Sequence, residues 1–302
     1  MKVSVIIPVY NGEKYISQAI ESCLIQEEVG EVIIIDDASI DGTADILASF
    51  KFNFNRVLVF TLEKNMGVSN ARNFGIFNAS CELISFLDAD DYYLKGRFQL
   101  DIHLLTMNQN IDGTYGAVKN IIEKDAKYST EFERNIIDLE QDILPEKLAD
   151  FVLKDNKPFF SIHSLVLRKD RLLNSNINFD VSLKLGEDID FIYAVVKKLR
   201  LSKIDGQIFI MRRLHSSNTT SILSTNGENR FYIMEKWFHK ALKGELSPYQ
   251  TLIMLYRKAS HECHKNKVII PYYSKTYAII KEIWKHPKLL YLILLPNRFN
   301  RV

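Results

Sequence analysis

The stretch ELISFLDADD, residues 82 to 91, drives an apolar, strand-like run straight into three carboxylates, Asp88, Asp90 and Asp91. Like charges this close repel one another unless water or a bound cation lies among them. Three earlier segments repeat its first half: VSVIIPV at 3 to 9, EVIIIDD at 31 to 37 and RVLVF at 56 to 60. All are short and rich in Val and Ile, as strands buried on both faces are. Between them, EKYISQAIESCLIQ sets Tyr15, Ile16, Ala19, Ile20, Cys23 and Leu24 on one helical stripe, and GVSNARNFGIFNA and GRFQLDIHLLTM behave similarly. Strand alternating with helix at this spacing predicts an α/β fold, a Rossmann-like and mostly parallel sheet flanked by helices.

Ligands of such sheets bind beyond the carboxyl ends of the strands. The polar clusters YNGE, DDASIDGT, KNMGVSNAR and DADD follow the four strands in turn, so four loops line one rim. Taken singly, each reads more simply as a turn with a helix cap, with Asn11, Asp41 and Ser69 as capping residues. Four on one edge point to a binding site.

Bulk properties narrow the classes. Thirty-nine basic against 37 acidic residues give a net charge of +2, which argues against nucleic acid as the main partner. Cys23, Cys81 and Cys263 are far apart and odd in number, so neither a disulfide framework nor a zinc ribbon is expected, and a reducing cytoplasm fits. MKVSVIIPVYNG reads as a first strand, because Pro8 and the turn come too early for a signal peptide. No run approaches the roughly twenty apolar residues of a membrane span. The chain lacks GxGxxG, GxxxxGK[ST], GxSxG and HExxH, which weakens the dinucleotide oxidoreductase, P-loop, serine hydrolase and zinc protease readings.

What remains is a carboxylate-rich rim. Asp88 and Asp90 alternate with Ala89, so one carboxylate can face a ligand's hydroxyls while the other reaches a divalent cation. Mg²⁺ and Mn²⁺ prefer oxygen ligands and bind through one or two carboxylates plus substrate phosphates. A diphosphate held this way is a good leaving group.

In order, PVYNGEKYI, IIDDASIDGT, NMGVSNARNFGI, FLDADDYY and GEDIDF resemble the family 2 glycosyltransferases, which use nucleotide sugars and have the GT-A fold. The resemblance covers about residues 1 to 220. It implies that residues 1–110 form the nucleotide-sugar-binding half of a GT-A domain and 111–220 its acceptor-binding half; the apolar stripes beyond them make 221–302 a C-terminal helical extension. It also implies an inverting, metal-dependent transfer, from a UDP-sugar by preference, to a saccharide or lipid-linked saccharide acceptor in surface polysaccharide or lipopolysaccharide synthesis. Asp37 falls on the carboxylate that contacts uracil, with Pro8 and Tyr10 flanking the base, Glu13 assisting and Arg72 near the base or diphosphate. A carboxylate accepts the imide N–H of uracil, although guanine offers such donors too. The family's DXD motif falls on Asp88, Ala89 and Asp90, with Asp88 toward ribose and Asp90 on Mn²⁺ or Mg²⁺. Asp91, its neighbour, reads either as a further member of the motif or as a helix cap.

The catalytic base of this inverting class corresponds to Asp188 in GEDIDF, with Glu187 orienting the acceptor or the loop; both acids also suit a helix N-terminus. RRLHSSNTTS resembles a late family segment, so that His215 completes the metal site or touches phosphate and Arg212 or Arg213 neutralises charge. Ala38 stands where the family usually has Gly, and Ile40 where Thr is frequent.

Further strands are expected at YGAVKNIIE and FFSIHSLVLR, and helices at GEDIDFIYAVVKKL, NRFYIMEKWFHKAL, YQTLIMLYRKASHECH and SKTYAIIKEIWK. HECHK reads as a solvated helix face. The tail KEIWKHPKLLYLILLPNRFNRV mixes Trp284, a Leu/Ile run and basic residues, which suits peripheral contact with the inner face of the cell membrane. Packing on the catalytic domain or within a homodimer is the equal alternative. Two other functions compete: a catalytically silent sugar-nucleotide-binding or scaffold protein of the same fold, and a nucleotidyltransferase. The first is disfavoured by the presence of Asp88, Asp90 and Asp188. The second wants a basic, Gly-rich triphosphate loop, where PVYNGEKYI offers only Lys14.

Overall fold

The structure is a computed structural model that describes residues 1–123, 136–138, 143–154, 160–204, 208–216 and 229–265, together with 282–283, 285–287 and 289. It divides into two compact units. Unit 1 comprises Met1–Ala149 and Lys157–Thr225, and unit 2 comprises Asp150–Asn156 and Asn226–Val302.

In unit 1 the chain opens β1 (Val3–Val9), α1 (Ile16–Leu24), β2 (Val29–Asp36), α2 (Thr43–Asn53), β3 (Val57–Thr61), α3 (Val68–Asn78) and β4 (Leu83–Phe86). There follow β5 (Tyr92–Tyr93), α4 (Gln99–Met107), β6 (Gly113–Tyr115), β7 (Val118–Ile122), β8 (Ile136–Ile137), α5 (Leu148–Lys154, which from Asp150 on belongs to unit 2), β9 (Val166–Arg168), α6 (Lys169–Asn174), α7 (Glu187–Lys198), β10 (Leu201–Lys203) and β11 (Ile210–Leu214). The main sheet runs in the order β10-β6-β9-β4-β1-β2-β3. β1 lies parallel between β2 and β4, and β3 continues the parallel set. β9 is antiparallel to both β4 and β6. A smaller sheet has the order β5-β11-β7-β8.

Every residue of β1 is buried, which explains its unbroken apolar run. Val3, Val5, Ile7 and Val9 pack with Ile16, Ala19, Ile20 and Cys23 of α1. On the opposite face α3 comes so close that a Cβ on Gly75 would lie 2.4 Å from Ile6 Cγ2, so a glycine is needed there. Pro8 pairs with Ile35 of β2 at a point where β1 has already outrun β4, whose pairing ends at Ile6 opposite Phe86. A central strand tolerates a residue without an N–H in such a place.

Two expected strands are shorter than their apolar runs. YGAVKNIIE divides between β6, in the main sheet, and β7, in the smaller one, because the chain changes sheets at Gly116 and Ala117. Among the described residues of FFSIHSLVLR only Val166–Arg168 is strand, since β4 offers it just three paired residues; Ile162–Ser164 is a 3₁₀ turn.

Unit 2 contains α8 (Asn229–Leu242) and α9 (Pro248–Lys265). Trp237, Phe238, Met254 and Leu255 are buried, and Lys258 Nζ lies 3.9 Å from the centre of the Phe238 ring. Gln250 Nε2 donates to Asp150 Oδ1 at 2.7 Å. The side chains of HECHK and most of residues 281–302, including Trp284, lie outside the described residues, as does most of SKTYAIIKEIWK. No helix among the described residues is long and apolar enough to cross a membrane.

Candidate active site

The four rim loops do converge at the carboxyl ends of β1 to β4. Asn11 adopts a positive φ of 53°, and its side chain accepts the Ile40 N–H at 2.9 Å while its own N–H donates to Ser39 at 2.9 Å. Gly12 N–H donates to Thr43 Oγ1 at 2.8 Å, and Glu13 Oε2 accepts the Gly42 N–H at 2.7 Å. The first and second loops are thereby stitched together, with Glu13 committed to the backbone ahead of α2. Ala38 stands at φ 62°, the left-handed region that favours glycine. Asp37 is buried and accepts the N–H groups of Met66 and Gly67, both at 2.7 Å, so it orders the loop ahead of α3. Tyr10 is half-exposed at the rim.

Beyond β4 the acids are sorted by cations. Asp88 Oδ1 accepts from Arg72 at 2.7 Å, and the second guanidinium nitrogen of Arg72 reaches Glu187 at 3.1 Å. Arg72 is buried on α3. Burial opposes its charge, yet Asp88, Glu187 and Asp188 together hold its pKa above the ordinary value. His163, from the 3₁₀ turn before β9, places Nε2 2.9 Å from Asp88 Oδ2 and Nδ1 3.2 Å from Asp91 Oδ2. Its Nδ1 also lies 3.1 Å from the Ser161 hydroxyl. The Nε2 contact is off the hydrogen-bonding axis, so it is a contact of charges. A bare imidazole lone pair facing a carboxylate at that distance would be repelled.

Acidities follow the partners. Burial pushes Asp88 upward, but His163 and Arg72 overcome it and hold the group far below the usual carboxylate range. Burial pushes Asp91 up to about 8, against the pull of His163 and with the help of Asp90 and Asp88. Burial also opposes charge on His163, yet Asp88 and Asp91 raise its pKa. Both shifts favour a proton at the His163–Asp91 contact. Asp91 does not cap a helix: it precedes the two-residue β5 and accepts the Arg213 N–H at 2.8 Å.

Asp90 Oδ2 lies 3.0 Å from His215 Nε2, so the two side chains expected to share a metal are adjacent. Their imidazole nitrogen and carboxylate oxygen form a donor set that suits Mn²⁺, and also Mg²⁺ when supplemented by phosphate oxygens and water. His215 stacks on Tyr15, with ring centroids 5.0 Å apart, and Tyr15 donates its hydroxyl to Glu123 at 2.9 Å. Arg213 Nη1 donates to the Asp90 carbonyl at 2.6 Å, and its guanidinium lies over both Tyr15 and Tyr92. Among the described residues, Asp88, Asp91 and His163 also bring three ligand atoms within 4.8 Å of one another.

Glu187 and Asp188 open α7 behind Gly186, which adopts φ 76°. Glu187 is raised to about 7 by burial and then by Asp188, with Arg72 opposing. Asp188 Oδ1 accepts the Ile189 N–H at 2.8 Å. One guanidinium therefore links the β4 corner to the start of α7. His163 escaped sequence reasoning because it sits inside an apolar run. The available signal was the charge count, since three clustered carboxylates need more than one cation.

Comparison with known proteins yields one family. The family model described as glycosyl transferase family 2 matches residues 4–173. A glycosyltransferase of Rickettsia typhi is 30% identical over 81% of this chain and 74% of its own length. The minor teichoic acid biosynthesis protein GgaA of Bacillus subtilis is 27% identical over 91% of this chain and 61% of its own length. A poly(ribitol-phosphate) beta-glucosyltransferase of Bacillus spizizenii is 31% identical over 78% of this chain, which spans 36% of that protein. The crystal structure of S. aureus TarS 1-349 in complex with UDP-GlcNAc superimposes with a TM-score of 0.68 at 22% identity, covering 98% of this chain and 84% of that one. That likeness fixes the GT-A fold.

Proposed function

The chain belongs to glycosyl transferase family 2, and from that premise we propose that it is an inverting transferase moving a sugar from a UDP-sugar to a saccharide or other polyhydroxylated acceptor of a surface polymer. The observation that carries this reading is the Arg72 bridge, which ties Asp88 of the DXD segment to Glu187 beside the base Asp188. Donor-binding and proton-accepting groups thus share one rim. The functions of two relatives, teichoic acid biosynthesis and poly(ribitol-phosphate) glucosylation, support an envelope polymer as acceptor. The UDP-GlcNAc in the S. aureus structure supports a uridine donor.

In this reading Asp37, Pro8 and Tyr10 receive the base. Asp37 keeps a further lone pair on each oxygen for an imide N–H. Asp88 faces the ribose, and Asp90 with His215 would hold Mn²⁺ or Mg²⁺. Such a cation supplies charge to the diphosphate as it departs. Asp188 takes the proton of the acceptor hydroxyl as its oxygen forms a bond to the anomeric carbon. The bond from that carbon to the diphosphate oxygen breaks, and the nucleoside diphosphate leaves with the electron pair. Glu187 and Arg72 keep Asp188 in register with the donor.

A thermal-shift and hydrolysis screen of nucleotide sugars with Mn²⁺ identifies base and sugar together. Stabilisation by UDP-sugars over GDP- and dTDP-sugars is expected, and a preference for another base would overturn the uridine assignment. Asp90→Ala is expected to abolish metal-stimulated turnover, and the anomeric coupling in the NMR spectrum of the product is expected to show inversion.

A further inference from the structure

The three carboxylates after β4 are divided between two imidazoles. Asp90 turns to His215, at 3.0 Å. Asp88 and Asp91 turn to His163, at 2.9 and 3.2 Å. His163 belongs to none of the motifs that mark the family in this chain, yet it is 3% exposed and set by its own surroundings. Ser161 opens the 3₁₀ turn, accepting the His163 N–H at 3.5 Å, and its hydroxyl meets Nδ1. Immediately after the turn, the Leu165 carbonyl accepts from Ser85 of β4 at 2.8 Å, and β9 then pairs antiparallel with β4. The imidazole is thus anchored to the same strand whose end carries the acids.

We propose that His163 is a positioning residue of the donor site, a fixed internal cation that draws Asp88 and Asp91 together and leaves Asp90 turned toward His215. This inference rests on the reading of the rim as a nucleoside-diphosphate-sugar site. Three carboxyl groups in four consecutive positions, were all to ionise, would splay apart or collapse onto whatever cation arrives. Arg72 cannot compensate them alone, because its second nitrogen is taken by Glu187. With His163 in place, Asp88 is oriented through both oxygens while its side chain stays 35% exposed, open to a ligand's hydroxyls. Asp91, buried and held by His163 and the Arg213 N–H, balances the corner without facing solvent. Preorganisation of this kind lowers the cost of ordering the site when the nucleotide binds.

The test uses the full chain and calorimetric titration with UDP in Mn²⁺, beside steady-state kinetics on the sugar donor found in the screen. His163→Ala is expected to weaken UDP binding about tenfold, within the range of coupling between contacting charges. The donor KM is expected to rise similarly, with the acceptor KM changed less than about twofold. His163→Gln, which retains an N–H toward one carboxylate, is expected to recover part of the loss. Adding Asp91→Asn to His163→Ala is expected to recover more, because the amide still accepts the Arg213 N–H and carries no charge in any protonation state of the corner. A purely structural role predicts further loss in the double variant, and that result overturns the proposal. So does unchanged UDP affinity in both single variants. Mn²⁺ binding without nucleotide, followed by electron paramagnetic resonance, separates a further case. If His163→Ala abolishes it while Asp90→Ala does not, His163 is a metal ligand and the proposal fails. Failure of the wild-type chain to bind UDP, GDP or dTDP removes the donor reading and this inference with it, whereas wild-type binding that the variants leave untouched removes the inference alone.

Discussion

The corner at the end of β4 and the corner at the start of α7 share a single guanidinium. Arg72 contacts Asp88 at 2.7 Å and Glu187 at 3.1 Å. Asp88 has a second cation, His163, and is held far below the usual carboxylate range despite burial. Glu187 has an anion beside it, Asp188, and burial with that repulsion raises it to about 7. What differs is the second neighbour, and it decides which carboxyl stays charged. At Asp88 the β4 corner presents a fixed charge, whereas Glu187 at the α7 corner holds or releases a proton near neutrality.

The strongest way to break this contrast is Asp188→Asn. Turnover should fall by about 10²–10⁴ while UDP affinity stays within about twofold, and retained turnover would move the base elsewhere. Arg72→Met removes the shared cation and leaves two partly buried carboxylates facing each other. It should lower stability by about 3 kcal/mol in chemical denaturation; a loss below about 1 kcal/mol would mean that solvent already screens both pairs.

Glu187→Gln sharpens the acidity claim. With its pKa raised to about 7 in the folded chain, Glu187 binds a proton that the unfolded chain releases above its ordinary value of 4.5. Folding stability should therefore fall as pH rises from 4.5 toward 7, and Glu187→Gln should flatten that slope. For Asp88 the sign is opposite: its contribution is complete above the ordinary value of 3.8 and disappears only in stronger acid. Denaturation midpoints measured from pH 4 to 8 separate the two.

The smallest effect lies outside both corners, at Ala38. Relief of the left-handed strain, about 1–2 kcal/mol, is partly offset by the added chain entropy of glycine, about 0.5–1 kcal/mol. Ala38→Gly should raise stability by about 0.5 kcal/mol with unchanged kinetics.

The first ninety residues were legible because β1, β2 and β4 are buried on both faces and each loop sits at the carboxyl end of a strand, so periodicity and polarity point the same way; β3, at the sheet edge, is the exception, with only Val57 fully buried. GEDIDF was readable as a helix start, and Asp90 and His215 meet as the motif pattern suggests. Legibility drops after residue 110, where strands of two to five residues exchange sheets and an apolar run no longer implies a strand. His163 illustrates the loss: in SIHSLVLR a histidine among apolar neighbours gives no periodic signal, and its partners lie 72 and 75 positions earlier in the chain. Asp37 and Glu13 show a subtler gap. Sequence points them at a ligand, whereas the fold also uses each to bind backbone N–H groups of a neighbouring loop.

Those loop-to-loop bonds bear on how a donor enters. Asn11, Gly12 and Glu13 are tied to Ser39, Ile40, Gly42 and Thr43, so the first two turns move as one rigid lip instead of two independent fingers. Under the proposed donor reading, a nucleoside arriving there would meet an edge already set, and the freedom surrendered on docking would belong mainly to the incoming molecule. On that reading, tight recognition of the base and fast ejection of the spent diphosphate would be separable properties, one written in the lip and the other in the charges opposite it.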